Sequence, residues 1–241
     1  NWRGLREQLL KTLVEIQVGK KEKIIIGAQN LSDAGIIPLL AGLTTVADWI
    51  ASSETDFPFT TWMSATAYNA VSQSRADAAL HRLGWIPQPS FGSIAPFSDI
   101  FGFDPNAMQE AMEKVADGVD EPYLAIVEAP MGQGKTEAAL YAIDAALAKG
   151  QAQGFYIALP TQATANAMFD RVTQKYLANK ARKSVGRFNI QLVHSGSILS
   201  DAIQYLFPAD CNDDSEGRIV AEEWFMGPKR PLLAPFGVGT I

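Results

Sequence analysis
Apolar positions recur with two different periods along this chain of 241 residues, and the change of period divides it. Near the start, Trp2, Leu5, Leu9, Leu10 and Leu13 follow helical spacing. Residues 37–51 and 61–83 carry a second and a third helical pattern, the last ending near Gly84. Pro87, Pro89 and Gly92 then come too close together for a helix to continue, so a linker is expected there. Beyond it the apolar runs shorten. Leu124-Ala125-Ile126-Val127 reads as a short buried strand, and residues 136–149 as an Ala- and Leu-rich helix that stops at Gly150. Residues 155–159 and 188–193 read as further strands, with a helix over 161–177 between them. Strands alternating with helices predict a parallel sheet covered by helices on both faces. The expected fold class is therefore all-α followed by α/β.

Composition adds limits. With 47% hydrophobic and 19% charged residues, the chain is of ordinary globular type. A single cysteine, Cys211, excludes an internal disulfide and suits a reducing cytoplasm. No uninterrupted apolar run reaches the roughly 20 residues of a membrane span, so no membrane is expected as a partner. A net charge of −6 offers no global attraction to nucleic acid, and contacts to DNA would rest on local basic residues and backbone amides. The start, Asn1-Trp2-Arg3-Gly4, has neither an initiator methionine nor a signal-peptide pattern, and the chain reads as a piece of a longer one.

The segment with the most chemistry is Ala129-Pro130-Met131-Gly132-Gln133-Gly134-Lys135-Thr136. Gly132 and Gly134 lack a Cβ, so the backbone can wrap closely around an anion. Successive amides and the N-terminus of the next helix then present positive charge to it. Lys135 is expected to reach the β- and γ-phosphates of ATP, and the Thr136 hydroxyl to ligate Mg²⁺. Pro130, Met131 and Gln133 complete the loop. Upstream, Phe103 and Gln109 offer a ring to stack on the base and an amide to read the adenine edge. The competing reading is a capped surface helix opened by Pro105, with Gln109 solvated.

Three more segments carry a family pattern. Pro160-Thr161-Gln162-Ala163-Thr164-Ala165-Asn166 succeeds a strand, Gly237-Val238-Gly239-Thr240-Ile241 succeeds Leu232-Leu233-Ala234, and Leu43–Ser52 contains Ala47-Asp48-Trp49-Ile50. With the glycine-rich loop they resemble the CRISPR-associated helicase–nuclease of type I systems, in which a metal-dependent HD nuclease domain precedes a superfamily-2 helicase core. By this resemblance residues 1–86 are the C-terminal part of the HD domain, 87–100 a linker, and 101–241 the first part of a RecA-like domain. Ala129–Thr136 looks like motif I, Pro160–Asn166 like motif Ia and Gly237–Ile241 like motif Ib. The resemblance implies ATP and Mg²⁺ as cofactors and a divalent transition metal in the HD site, with Asp48 as ligand or as a partner of one. It also implies single-stranded DNA and a guide-RNA surveillance complex as partners. Thr161, Gln162, Thr164, Gly239 and Thr240 become candidate DNA contacts, the last two on an adjoining loop. A strand-to-helix turn with Thr161 as a plain N-cap is the competing reading.

Other residues leave alternatives open. Arg171, Lys175, Lys180, Arg182, Lys183 and Arg187 form a basic run that fits a solvated face and a phosphate track equally. His194 ends a strand where this family often has histidine, although a lone histidine is more often structural; His81 reads as a surface residue. Departures from the family pattern are as informative. No Asp-Glu-x-His or Asp-Glu-x-Asp box comes after the loop, and Glu222-Glu223 is not expected to end an apolar strand. The only histidines, His81 and His194, form no His-Asp pair. The chain alone is therefore expected to hydrolyse ATP negligibly. A different superfamily-2 motor would explain Gln109, Lys135 and Thr161 but not the Asp48 segment. A small-molecule kinase would leave Thr161–Asn166 without a role, and a non-catalytic nucleotide-binding piece is the third alternative.

Overall fold
The computed structural model describes residue 4, residue 11 and residues 35–61, 63–86, 89, 91–184, 186–195, 206, 217–226 and 229–240. The helix expected from Trp2 to Leu13 lies outside the described residues, apart from two isolated helical positions. The chain divides into two compact units, Asn1–Leu80 and His81–Ile241. A helical part precedes a parallel four-stranded sheet with helices.

In the first unit, α1 spans Ile36–Ala51. Its Ile50 is buried, whereas Ile37, Leu39, Leu40 and Leu43 are exposed. Thr44 and Thr45 donate their hydroxyls to the carbonyls of Leu40 and Ala41, at 2.8 Å each, so both side chains fold back on their own helix. Helix α2, Ala65–Arg82, comes next. It starts four residues after the expected position, at a serine: Ser64 accepts a hydrogen bond from the Ala67 amide at 3.3 Å.

The second unit opens with the end of α2. Its helices are α3 (Phe97–Phe101), α4 (Ala107–Gly118), α5 (Lys135–Ala148), α6 (Gln162–Arg171) and α7 (Ala178–Ala181). Between α6 and α7 the helix runs through a π-helical stretch, Val172–Leu177, so one continuous helix covers 162–181. The strands are β1 (Phe155–Leu159), β2 (Arg187–Val193), β3 (Arg218–Val220) and β4 (Phe236–Thr240). All pair in parallel in the order β1-β4-β2-β3. Phe188, Ile190, Leu192, Phe236 and Val238 from the sheet meet Phe169, Val172 and Leu177 from the long helix in a single core.

The structure corrects two expectations and adds a strand. Residues 122–130 form no strand, and Leu124 and Ile126 are 87% and 79% exposed. An apolar run becomes a strand only with a neighbour to bond to, and among the described strands none pairs with this segment. The expected linker is no free tether. Phe91 packs edge-on against Phe188 and Phe236 at 5.7 and 5.9 Å, and Phe97 and Ile100 are buried. Helix α2 has ended by this point, but the aromatic residues beyond it bury their area as core side chains do. A strand absent from the sequence reading, β3, ends at Val220, two residues before Glu222; with three residues it is too short for its pattern to show in sequence.

Glu222 is buried and ion-paired with Arg82. Around it, Asn189 donates to the Leu83 carbonyl and accepts from the Glu222 amide, while Gln191 donates to the Glu222 carbonyl. These polar groups of a central strand are thereby satisfied, as burial demands. A second buried set joins the helices: Asp144 of α5 accepts from the Tyr176 hydroxyl at 2.8 Å and from Lys180 at 2.6 Å. Removing one partner of such a pair costs about 3–5 kcal/mol, because the other charge stays buried.

Candidate nucleotide site
The glycine-rich loop ends in a turn that opens α5. Gly132 and Gly134 both hold left-handed backbone, with φ of +79° and +75°. Such angles cost a residue with a Cβ roughly 1–2 kcal/mol, which is the local reason for glycine at both positions. A Cβ at Gly134 would also collide with the Gln109 amide nitrogen. Lys135 is the first residue of α5, and its ammonium turns back to donate to the carbonyls of Ala129 at 2.5 Å and Pro130 at 2.9 Å. The loop is thus held closed by its own lysine, while Met131 at its tip is 96% exposed.

Helix α4 is tied to this loop. Asn106 caps α4 in a reciprocal box: its side chain accepts from the Met108 and Gln109 amides, and the Gln109 side-chain oxygen accepts from the Asn106 amide at 2.9 Å. The other ends of the same two side chains reach across. Asn106 donates to the Gln133 carbonyl at 3.0 Å, and Gln109 donates to the Gly134 carbonyl at 3.1 Å. Gln109 is 2% exposed. The helix is capped and mostly exposed, as the competing reading has it, but Gln109 itself is neither solvated nor free. Reading an adenine edge through Gln109 would require exchanging these bonds. Asn106 is absent from the residues that spacing singled out, although Asn-x-x-Gln is a legible capping signal.

A cavity of about 430 Å³ lies beside the loop, bordered by Phe103, Gln109, Gly132–Lys135, Thr136 and Arg171. Its volume is that of a small-molecule site. Phe103 is half exposed and meets the rings of Phe97 and Phe101 at 5.6 and 6.3 Å, which leaves part of its ring open. Pro130 and Met131 belong to the loop but not to the cavity wall.

The C-terminal edge of the sheet gathers the remaining candidates. Thr161 is the N-cap of α6: its hydroxyl accepts from the Thr164 amide at 3.3 Å, and the Thr164 hydroxyl donates to the Thr161 carbonyl at 2.8 Å. Gln162 donates to Ser195 at 2.9 Å, and His194 pairs with Asn166 at 2.7 Å. Ser195 is a further residue that spacing alone does not single out. Gly239 and Thr240 lie in β4 and not on a loop, which corrects that expectation. Gly239 is buried, and a Cβ there would strike the Val193 carbonyl and the Tyr156 hydroxyl. Glycine at 237 and 239 is what lets the Tyr156 ring lie across β4 and donate to the Thr240 carbonyl at 3.3 Å. Ile241 lies outside the described residues.

The basic run does not act as one stripe. Arg171 is ion-paired with Glu137 and Lys180 is buried against Asp144. Asp48, on α1, is exposed, so of its stretch only Ile50 packs fully inward. Among the described residues, no group of three or more His, Cys, Asp or Glu could hold a metal ion. Nor is any described helix long and apolar enough to cross a membrane.

Fold and loop together define the class: a parallel α/β domain with a glycine-rich loop at a helix N-terminus, preceded by a helical part. Relatives narrow it. The chain is 39% identical over 207 residues to the CRISPR-associated endonuclease/helicase Cas3 of Thermus thermophilus, and 35% identical over 208 residues to the CRISPR-associated nuclease/helicase Cas3 of Streptococcus thermophilus. These matches cover 83% and 84% of the chain. Among solved structures it resembles T. fusca Cas3, at 32% identity and TM-score 0.63 in the ATP form, and at 30% and 0.64 in the AMPPNP form, over 84% of the chain. No protein-family model matches. The chain is a homologue of one segment of the Cas3 endonuclease/helicases and spans about a fifth of their length, 22% in each of these cases.

Proposed function
We propose that this chain is the nucleotide-binding segment of a CRISPR-associated helicase–nuclease, taking ATP with Mg²⁺ in the cavity beside the glycine-rich loop. The observation that carries this reading is the loop itself: two left-handed glycines, Gly132 and Gly134, open α5 beside a cavity of about 430 Å³. Lys135 stands at the helix start, bonded only to carbonyls that a phosphate would outcompete for its charge. In this reading Pro130 to Gly134 wrap the phosphates, Lys135 meets the β- and γ-phosphates, and Thr136 gives Mg²⁺ one oxygen, the others coming from phosphates and water. Phe103 stacks on the base, and Gln109 holds the loop and reads the adenine edge when its bond to Gly134 opens. The ATP and AMPPNP forms of T. fusca Cas3 support ATP as the ligand.

The sheet edge is read as the path of single-stranded DNA, with Thr161, Gln162, Thr164 and Thr240 facing the phosphate backbone and Gly239 making room behind them. The protein as a whole would translocate along DNA and cut it, recruited by a guide-RNA surveillance complex. Residues 1–86 would form part of the HD nuclease domain and hold Asp48 toward a divalent transition metal. One carboxylate is too small a ligand set to hold such a metal alone, so Asp48 would act with ligands beyond the described residues.

ATP titration combined with thermal unfolding tests the nucleotide reading. A ligand that binds only the folded chain stabilises it by about 2.7 kcal/mol at a hundredfold excess over Kd. The chain should gain melting temperature with ATP–Mg²⁺, and Lys135→Ala should lose that gain while keeping its ligand-free melting point. An equal gain in both proteins would place the nucleotide elsewhere.

A further inference from the structure
Arg171 is one of six residues in the basic run, yet its position is unlike that of the others. It is the last residue of α6, and its guanidinium is ion-paired with Glu137. Glu137 lies in the first turn of α5, directly after Thr136. Its side chain is 13% exposed and that of Arg171 40%, so the carboxylate end of the pair is shielded and the guanidinium end reaches solvent. Arg171 and Glu137 border the cavity at the glycine-rich loop. They also border a second cavity of about 380 Å³, which continues toward Phe101, Lys175 and Tyr176. Phe103 is the third residue common to both. The ion pair and this ring therefore stand between the two cavities, one of them at the glycine-rich loop.

The same helix has its other end at the sheet edge. Thr161 caps α6 there, and Gln162 bonds to Ser195. Ten helical residues separate the two ends, a rise of about 15 Å. Hydrogen-bonded α-helix transmits a displacement along its axis, whereas the irregular π-helical stretch begins only after Arg171, at Val172.

We propose that Arg171 is a nucleotide-positioning residue, and that its ion pair with Glu137 couples the sheet-edge end of α6 to the phosphate-loop helix. The proposal rests on the reading of the loop as an ATP site and of the sheet edge as a DNA path. A strand seated on Thr161 and Gln162 biases where Arg171 sits. Arg171 in turn sets the first turn of α5, where Lys135 and Thr136 stand. Coupling of this kind is reciprocal for binding, so nucleotide also tightens the grip on DNA. Arginine suits the task better than lysine, because its planar fork fixes the direction of the pair and can lie flat against a base.

The test is ATP hydrolysis by the full-length protein over a range of ATP and single-stranded DNA concentrations, for wild type, Arg171→Ala, Glu137→Gln and the double variant. Arg171→Ala should raise KM for ATP about fivefold and cut the stimulation by DNA by a similar factor. Glu137→Gln should act in the same direction, and the double variant should be no worse than Arg171→Ala alone, as for two residues in one interaction. Arg171→Lys keeps the charge without the fork and should fall between; it carries the test if the alanine variant melts early. KM and DNA stimulation within twofold of wild type in Arg171→Ala and Arg171→Lys, or strictly additive losses in the double variant, would overturn the proposal. Lys135→Ala in the same assay separates the two levels. Lost hydrolysis there upholds the nucleotide reading whatever Arg171 does, and retained hydrolysis removes the ground beneath both.

Discussion
At the scale of single residues, Gly134 is constrained twice over. Its φ of +75° excludes an ordinary side chain, and any Cβ would displace the Gln109 amide that bonds to its own carbonyl. Gly134→Ala should therefore lower stability by about 1–2 kcal/mol from backbone strain alone, and weaken ATP binding further as α4 is pushed from the loop. Denaturant melts and ATP titration check both; a variant with wild-type stability and affinity would contradict the described loop. Two phenols make a pH prediction. Burial raises the pKa of Tyr141, helped by the Asp117 carboxylate, and burial raises that of Tyr176, helped by Asp144. A folded pKa above the unfolded value of about 10 contributes stability in full below that pH and loses it as pH rises. Stability should fall above about pH 10, and Tyr176→Phe should flatten the fall. The loop glycines and Lys135 are legible in sequence because their spacing is itself the chemistry. Gln109 is legible as important, but not as a buried clamp, since the carbonyl it bonds lies 25 residues away.

At the scale of elements, what the sequence reveals depends on whether an element's pattern is self-contained. Strand β1 matches its expected bounds, and β2 does so within one residue, because an apolar run in β1 and an alternation of Phe188, Ile190 and Leu192 with polar residues in β2 are each local patterns. Residues 124–127 have the same run without a paired neighbour and form no strand, and β3 is invisible in sequence because three residues make no pattern. Pairing partners are tertiary facts that a local run does not encode. Helix α1 carries the prediction at this scale. Asp48 is exposed on it and lies in the first unit, whereas Lys135 lies in the second. If Asp48 serves a metal, Asp48→Ala in the full-length protein should reduce nuclease activity at least tenfold and leave ATP hydrolysis within twofold. Unchanged nuclease activity would remove the metal role, and a joint loss with a lower melting temperature would make Asp48 a folding residue.

At the scale of the molecule, the change of period marks the passage from an all-helical part to an α/β part, and the chain divides into compact units after Leu80. The aromatic residues beyond that boundary belong to the second core, not to a tether, because hydrophobic burial overrides the turn-forming prolines between them. The central claim is that the phosphates of ATP are held by the loop that Lys135 closes. ATP hydrolysis by the full-length protein with single-stranded DNA present, compared between wild type and Lys135→Ala, tests it most directly. The account predicts a loss of about 10²-fold or more with an unchanged melting temperature, because the Lys135 ammonium bonds only to loop carbonyls and packs no core. Turnover at the wild-type rate in Lys135→Ala would contradict it.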